Sequence, residues 1–158
     1  MSAKHILVPV EFFSADSNAA LDVTATLAQG LGAHVQLLHV LSPESSLEGM
    51  VPGDDDDNPD VDEQKRALAG LARLASSLRS DGVGSVEVLA VQGNPAERIL
   101  RHAHDETVDL IVMGTHGRGG LSEFLVGSVA GSVMKRAGCV VVTVHAPRAA
   151  VTPIRSVT

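Results

Sequence analysis

The chain has 158 residues, 12 Lys and Arg against 19 Asp and Glu, and a net charge of −7, a size that suits one domain able to bury ~68–70% of its unfolded surface. Aromatic residues make up 2% of the sequence, as Phe12, Phe13 and Phe124 alone, which removes the stacking platforms of single-stranded nucleic-acid binders. Cys139 stands alone, so no intrachain disulfide is possible, and with no signal-peptide pattern and no apolar run near ~18 residues the chain is expected to be cytoplasmic, without membrane insertion and without nucleic acid as a partner.

Ile6–Val10 reads as a first strand. Ser14, Asp16 and Ser17 supply N-cap candidates for a helix over 18–31 that Gly32 stops. His34–Leu41 is a second strand. Between 42 and 61 the chain is rich in Pro, Gly, Ser and Asp without an apolar period, and reads as a mobile acidic loop. A helix from Asp62 or Glu63 to Ser80 carries Ala67, Leu68, Leu71, Leu74, Ala75 and Leu78 as an apolar stripe, with Lys65, Arg66 and Arg73 opposite. Val86–Val91 is a third strand. Asn94 caps a helix that opens on Pro95, runs to Asp105 and buries Ile99, Leu100 and Ala103.

Val108–Met113 is a short, β-branched fourth strand of the buried parallel kind. It opens into a loop holding Gly114, Gly117, Gly119, Gly120 and Gly127, whose missing Cβ atoms permit positive φ and let backbone N–H groups approach a phosphate. A fourth helix runs from Ser128 to Ala137, with Ser128 expected as its N-cap and Gly138 as its C-cap. Cys139–Val144 is a fifth strand, and residues 147–158 read as a flexible tail after a domain over 1–146. Strands alternating with helices imply a parallel sheet wound right-handedly with helices on both faces, a Rossmann-like α/β fold.

The charge is unevenly spread. Residues 44–63 hold nine acids and no base, leaving 12 bases against 10 acids elsewhere. From Leu110 onward Arg118, Lys135, Arg136, Arg148 and Arg155 face Glu123 alone, so the part bearing the glycine loop is locally basic.

Neither common phosphate-loop pattern fits, because Gly114 and Gly119 are followed by Gly120 where a Walker A lysine belongs, and a dinucleotide fingerprint begun at Gly117 would need its third glycine at Ser122. The pattern present is Gly-x2-Gly-x9-Gly-Ser, through Gly114, Gly117, Gly127 and Ser128. Together with Lys4-His-Ile-Leu-Val-Pro-Val10, Gln36-Leu-Leu-His-Val40 and Gly93-Asn-Pro95, it resembles the nucleotide-binding branch of the universal stress protein family over roughly 4–145. The resemblance implies five parallel strands in the order 3-2-1-4-5, which puts a ligand crevice where the order reverses, between strands one and four. It further implies ATP, or ADP or AMP, with Mg2+ carried by the phosphates, a homodimer through Val140–Val144, and an unknown regulatory protein partner in stress adaptation.

The residues expected at that crevice are Pro9, Val10 and Glu11 from strand one, Val40 from strand two, Met113, Gly114, His116, Gly117 and Arg118 from strand four and its loop, and Gly127, Ser128 and Val129 at the fourth helix. Glu11 stands where nucleotide-binding relatives usually carry an aspartate toward the ribose or adenine. It can accept hydrogen bonds from ribose hydroxyls. Each residue also has a plainer role: the loop as a βα connection without ligand, Glu11 as a surface acid, Val10 and Val40 as strand residues.

No His-x3-His or Cys pairing announces a metal, and His102 and His104 fall on different helix faces, so no protein metal site is expected. Ser122 and Ser128 lack a Gly-x-Ser-x-Gly frame, and no catalytic residue is assigned. Two other readings of the same crevice stay open: a slow ATP hydrolase or nucleotide-transfer enzyme, and a dimeric interaction protein without ligand.

Overall fold

A computed structural model describes residues 5–42, 59–116 and 126–146. Residues 43–58 of the loop expected over 42–61, the tail over 147–158, and Gly117 and Arg118 lie outside the described residues. Among the described residues five strands, β1 (His5–Pro9), β2 (His34–Leu41), β3 (Val86–Gln92), β4 (Leu110–Gly114) and β5 (Val140–Val144), alternate with four helices, α1 (Ala15–Leu31), α2 (Pro59–Ser80), α3 (Pro95–Asp105) and α4 (Ser128–Arg136). The strands form one sheet in the order β3-β2-β1-β4-β5, and every pairing is parallel. The fold is therefore the single Rossmann-like α/β domain expected.

Strand alternation divides the core into two layers. Ile6 and Val8 of β1, Val35 and Leu37 of β2, and Leu110 and Val112 of β4 face one cluster that takes in Ala20 and Leu21 of α1 and Leu71 and Ala75 of α2. Leu7, Leu38, Ile111 and Met113 face the other, against Ile99 and Ala103 of α3 and Ala130 and Val133 of α4. Ile6, Leu7, Leu37, Leu38, Leu71 and Ile111 are among the largest fully buried side chains, and each contributes ~1.5–3 kcal/mol by leaving water.

Local signals set the helix ends. The Ser14 hydroxyl accepts the Ser17 amide at 3.2 Å as N-cap of α1, so the helix begins at Ala15, earlier than Asn18. It ends on Gly32 in the left-handed region at φ 61, as expected. Asn94 caps α3 by accepting the Glu97 amide at 3.1 Å, with Pro95 in the first turn.

Four local expectations are corrected. α2 begins at Pro59, since proline has no N–H to leave without a partner in the first turn. Leu68 is exposed and falls outside the stripe formed by Ala67, Leu71, Ala75 and Leu78. Gly127, not Ser128, is the N-cap of α4, without a side-chain hydrogen bond, and Ser128 is the first helical residue. α4 closes on Ala137 in an extended conformation, so Gly138 supplies no left-handed cap. Among the described residues no helix is long and apolar enough to cross a membrane.

Candidate functional site

At the C-terminal edge of the sheet the ends of β1 and β4 flank a crevice where the strand order reverses. Its lining includes Pro9, Val10 and Glu11 after β1, Val40 of β2, Met113, Gly114 and His116 from β4 onward, and Val129 in the first turn of α4. Eight of the twelve residues picked out from the sequence thus border one space. Gly127 and Ser128 lie at the adjoining helix start, outside the lining. Ser17, Leu38, Pro95, Ile99, Thr115 and Ala130 complete the lining and were not expected there.

Backbone and cap contacts hold the β1 end in place. The Val10 amide donates to the Leu38 carbonyl at 2.8 Å, and His39 Nδ1 lies 2.8 Å from the Val10 carbonyl, which places a proton on that nitrogen. The Glu11 amide donates to the Ser17 hydroxyl at 3.0 Å. Beyond Glu11, Phe13 adopts φ 63 and is 88% exposed, an unusual conformation for a bulky residue at the entry to α1. On the α2 side of Glu11 and Val40 a second recess opens between Phe12, His39, Arg66 and Arg73.

The two glycines described at the loop are required by close approach rather than by positive φ. A Cβ on Gly114 would lie 2.9 Å from the Asp16 carbonyl carbon and 3.0 Å from the Ser17 nitrogen, so β4 meets the start of α1 only without a side chain there. A Cβ on Gly127 would lie 2.9 Å from the Thr115 carbonyl oxygen, which accepts the Gly127 amide at 2.7 Å. That bond ties together the two stems from which the glycine loop leaves and returns. With the Gly127 amide engaged there, it is the first turn of α4, through Val129 and Ala130, that brings the positive end of the helix to the crevice, an arrangement that favours anions.

Beside the crevice lies a polar cluster that the sequence does not announce. Asp16, in the first turn of α1, accepts the Ala146 amide at 2.7 Å through Oδ1 and the Thr115 hydroxyl at 2.9 Å through Oδ2. His116 Nδ1 is 3.0 Å from the same Oδ2, and His145 Nδ1 is 3.8 Å away. The Ser14 hydroxyl donates to the His116 carbonyl at 3.0 Å. Asp16 is pulled in two directions. Burial raises its pKa, but the Ala146 amide, His116 and the Thr115 hydroxyl outweigh that effect and hold the carboxyl below 3.8.

A carboxyl depressed in the folded state adds stability above its unfolded pKa, and that stability is lost as pH falls through the lower folded value. The urea midpoint of Asp16→Asn is therefore expected to lie below wild type at about pH 5 and to approach it as pH falls through the folded carboxyl's lowered pKa. A gap unchanged with pH would remove the Asp16 carboxylate as its source.

Cys139 precedes β5, half-buried against the α3–α4 layer, and desolvation raises its thiol pKa. It is a packing residue. His102 and His104 diverge: His102 lies 2.8 Å from Gln36 Oε1 beneath the sheet, while His104 is exposed.

Sequence and structure comparisons bear on the fold and the family. Universal stress protein YxiE of Bacillus subtilis is 34% identical over 135 residues, which cover 82% of this chain and 90% of that one. The solved structure of MJ0577, a universal stress protein of Methanocaldococcus jannaschii, superposes with a TM-score of 0.77 at 28% identity over 94% of this chain and 100% of that one. A universal stress protein from Archaeoglobus fulgidus, solved in complex with dAMP, shares the fold with a TM-score of 0.66 at 24% identity over 92% of this chain and 100% of that one. The sequence pattern of the Universal stress protein family matches residues 2–145, and the chain belongs to that family.

Proposed function

We propose that the crevice between β1 and β4 binds an adenine nucleotide, ATP or its ADP and AMP relatives with Mg2+ on the phosphates, and that the loaded protein acts in stress adaptation through a regulatory protein partner. The observation that carries this is the convergence of Val10, Glu11, Val40, Met113, Gly114 and Val129 on one space beside the start of α4. Val10, Val40 and Met113 offer apolar contact to a flat base, and Glu11 offers a carboxylate to ribose hydroxyls. Ser128 and the first-turn amides of α4 offer an anion site to phosphates, with Gly127 leaving room beside them for want of a side chain and Gly117 and Arg118 as further candidates from the loop. The dAMP complex of the Archaeoglobus fulgidus relative supports a nucleotide in this family. Saturating Mg-ATP is expected to raise the melting temperature, since ligand at ~100 times its dissociation constant adds about 2.7 kcal/mol to the folded state. An unchanged melting curve at millimolar nucleotide would contradict the proposal.

The same reading includes a two-fold dimer through β5, whose outer edge pairs with no other strand among the described residues. Val140 is 64% exposed, and β-branched residues run from Val140 to Val144 without a blunting proline or lysine. Val140→Lys and Thr143→Lys place charge at that edge and are each expected to weaken the dimer at least ~10-fold by sedimentation, equivalent to about 1.4 kcal/mol. A wild-type monomer at micromolar concentration, or a dimer indifferent to both changes, would remove β5 as the interface.

A further inference from the structure

We propose that Asp16, His116 and His145 form a binding site for one divalent transition-metal ion of the zinc class, made by the chain's own side chains and separate from any magnesium that a nucleotide carries. The three residues come from the first turn of α1, the end of β4 and the end of β5. Each offers one ligand atom, and these atoms lie within 4.8 Å of one another.

The Thr115 hydroxyl completes the figure. Its Oγ1 lies 2.9 Å from Asp16 Oδ2, 3.1 Å from His116 Nδ1 and 2.7 Å from His145 Nδ1. With Asp16 Oδ2 3.0 Å from His116 Nδ1 and 3.8 Å from His145 Nδ1, the four atoms gather around one point that a single ion could occupy, the three ligand atoms within 4.8 Å of one another. Zinc bonds of ~2.0–2.2 Å put tetrahedral corners about 3.3–3.6 Å apart, so small side-chain adjustments bring the donors to coordinating distance. Two imidazoles and a carboxylate are a donor set suited to zinc or cobalt and poorly suited to magnesium or calcium. Thr115 holds the fourth corner, the position that water fills in open zinc sites.

Outer contacts orient the ligands as metal sites require. The Ala146 amide holds Asp16 Oδ1 at 2.7 Å, leaving Oδ2 toward the cluster, and Ser14 anchors the His116 carbonyl. Asp16 and His116 side chains are 14% and 12% exposed, whereas His145 is 51% exposed, which supplies a path for entry. Both rings can reach the ion as neutral imidazoles by carrying their proton on Nε2. The inference rests on these contacts alone and stands whether or not the neighbouring crevice takes a nucleotide.

The test is a Co2+ titration of tag-free protein stripped with chelator. One ion per chain is expected, with the visible ligand-field absorption of a tetrahedral site, displaced by Zn2+. His145→Ala and Asp16→Asn are each expected to lower affinity at least ~10-fold, while exposed His104→Ala leaves it unchanged. His145→Ala alone decides if Asp16→Asn does not fold, because its ring is half in solvent and its melting temperature reports an intact fold. Absence of the absorption band, a titration indifferent to His145→Ala, or an equal loss in His104→Ala would overturn the site.

Discussion

Ile111→Ala is expected to lower stability by ~2–5 kcal/mol, the largest loss among the substitutions considered. Ile111 is fully buried in β4, with α3 and α4 packed over its face. Its strand is bonded to β1 on one side and β5 on the other, so the backbone cannot collapse into the space a smaller side chain leaves. At about 2–4 °C per kcal/mol for a chain of this size, the melting temperature is expected to fall by roughly 4–20 °C. Val61→Ala, at an exposed position of α2, is expected to stay within ~0.5 kcal/mol. Equal effects of the two changes would mean that β4 is not the packed centre described above.

Gly114→Val is expected to cost ~1–3 kcal/mol and to disturb the site as well as the fold. The atoms a side chain would meet belong to the Asp16 and Ser17 backbone and to Asp16 Cβ, none of which can swing aside as a flexible side-chain tip would. Relief requires α1 to move away from β4. That movement carries Asp16 from Thr115 and Ser17 from the Glu11 amide, to which its hydroxyl is bonded. Thermal melts of Gly114→Val and Gly131→Val separate this from a general glycine effect, since nothing lies within 4 Å of a Cβ on Gly131. A larger loss at Gly131 would contradict the close α1–β4 approach.

The parts of the fold legible in the sequence are those written in local chemistry. Gly32 stops α1 because its φ is positive, and Asn94 with Pro95 starts α3 because an amide oxygen and a fixed φ suit a first turn. The β-branched run at β4 marks a strand wherever it sits. Most of the crevice lining was legible too, because strand ends carry ligands in parallel sheets and the family resemblance supplied the strand order.

The requirements for Gly114 and Gly127 were not legible as such. Their partners, Asp16, Ser17 and the Thr115 carbonyl, are brought near only by tertiary structure. Ser128 fails as a cap because Gly127 enters α4 in its own extended conformation and takes the cap position. Asp16, His116 and His145 show no ligand spacing in the sequence. The signal that could have found them is topological: with β5 beside β4, the residues just beyond those strands must be neighbours, and the start of α1 lies at that same edge.

Calorimetric titration of Mg-ATP into wild type and Ser128→Asp tests the nucleotide assignment most directly. Ser128 is the exposed first residue of α4, where an aspartate is favoured by ~0.3–1 kcal/mol at the positive end of the helix yet repels phosphate. The account predicts one saturable site per wild-type chain, at least ~10-fold weaker in Ser128→Asp, whose melting temperature without nucleotide is unchanged or higher. No heat of binding at millimolar Mg-ATP, or equal affinity in both proteins, would contradict it.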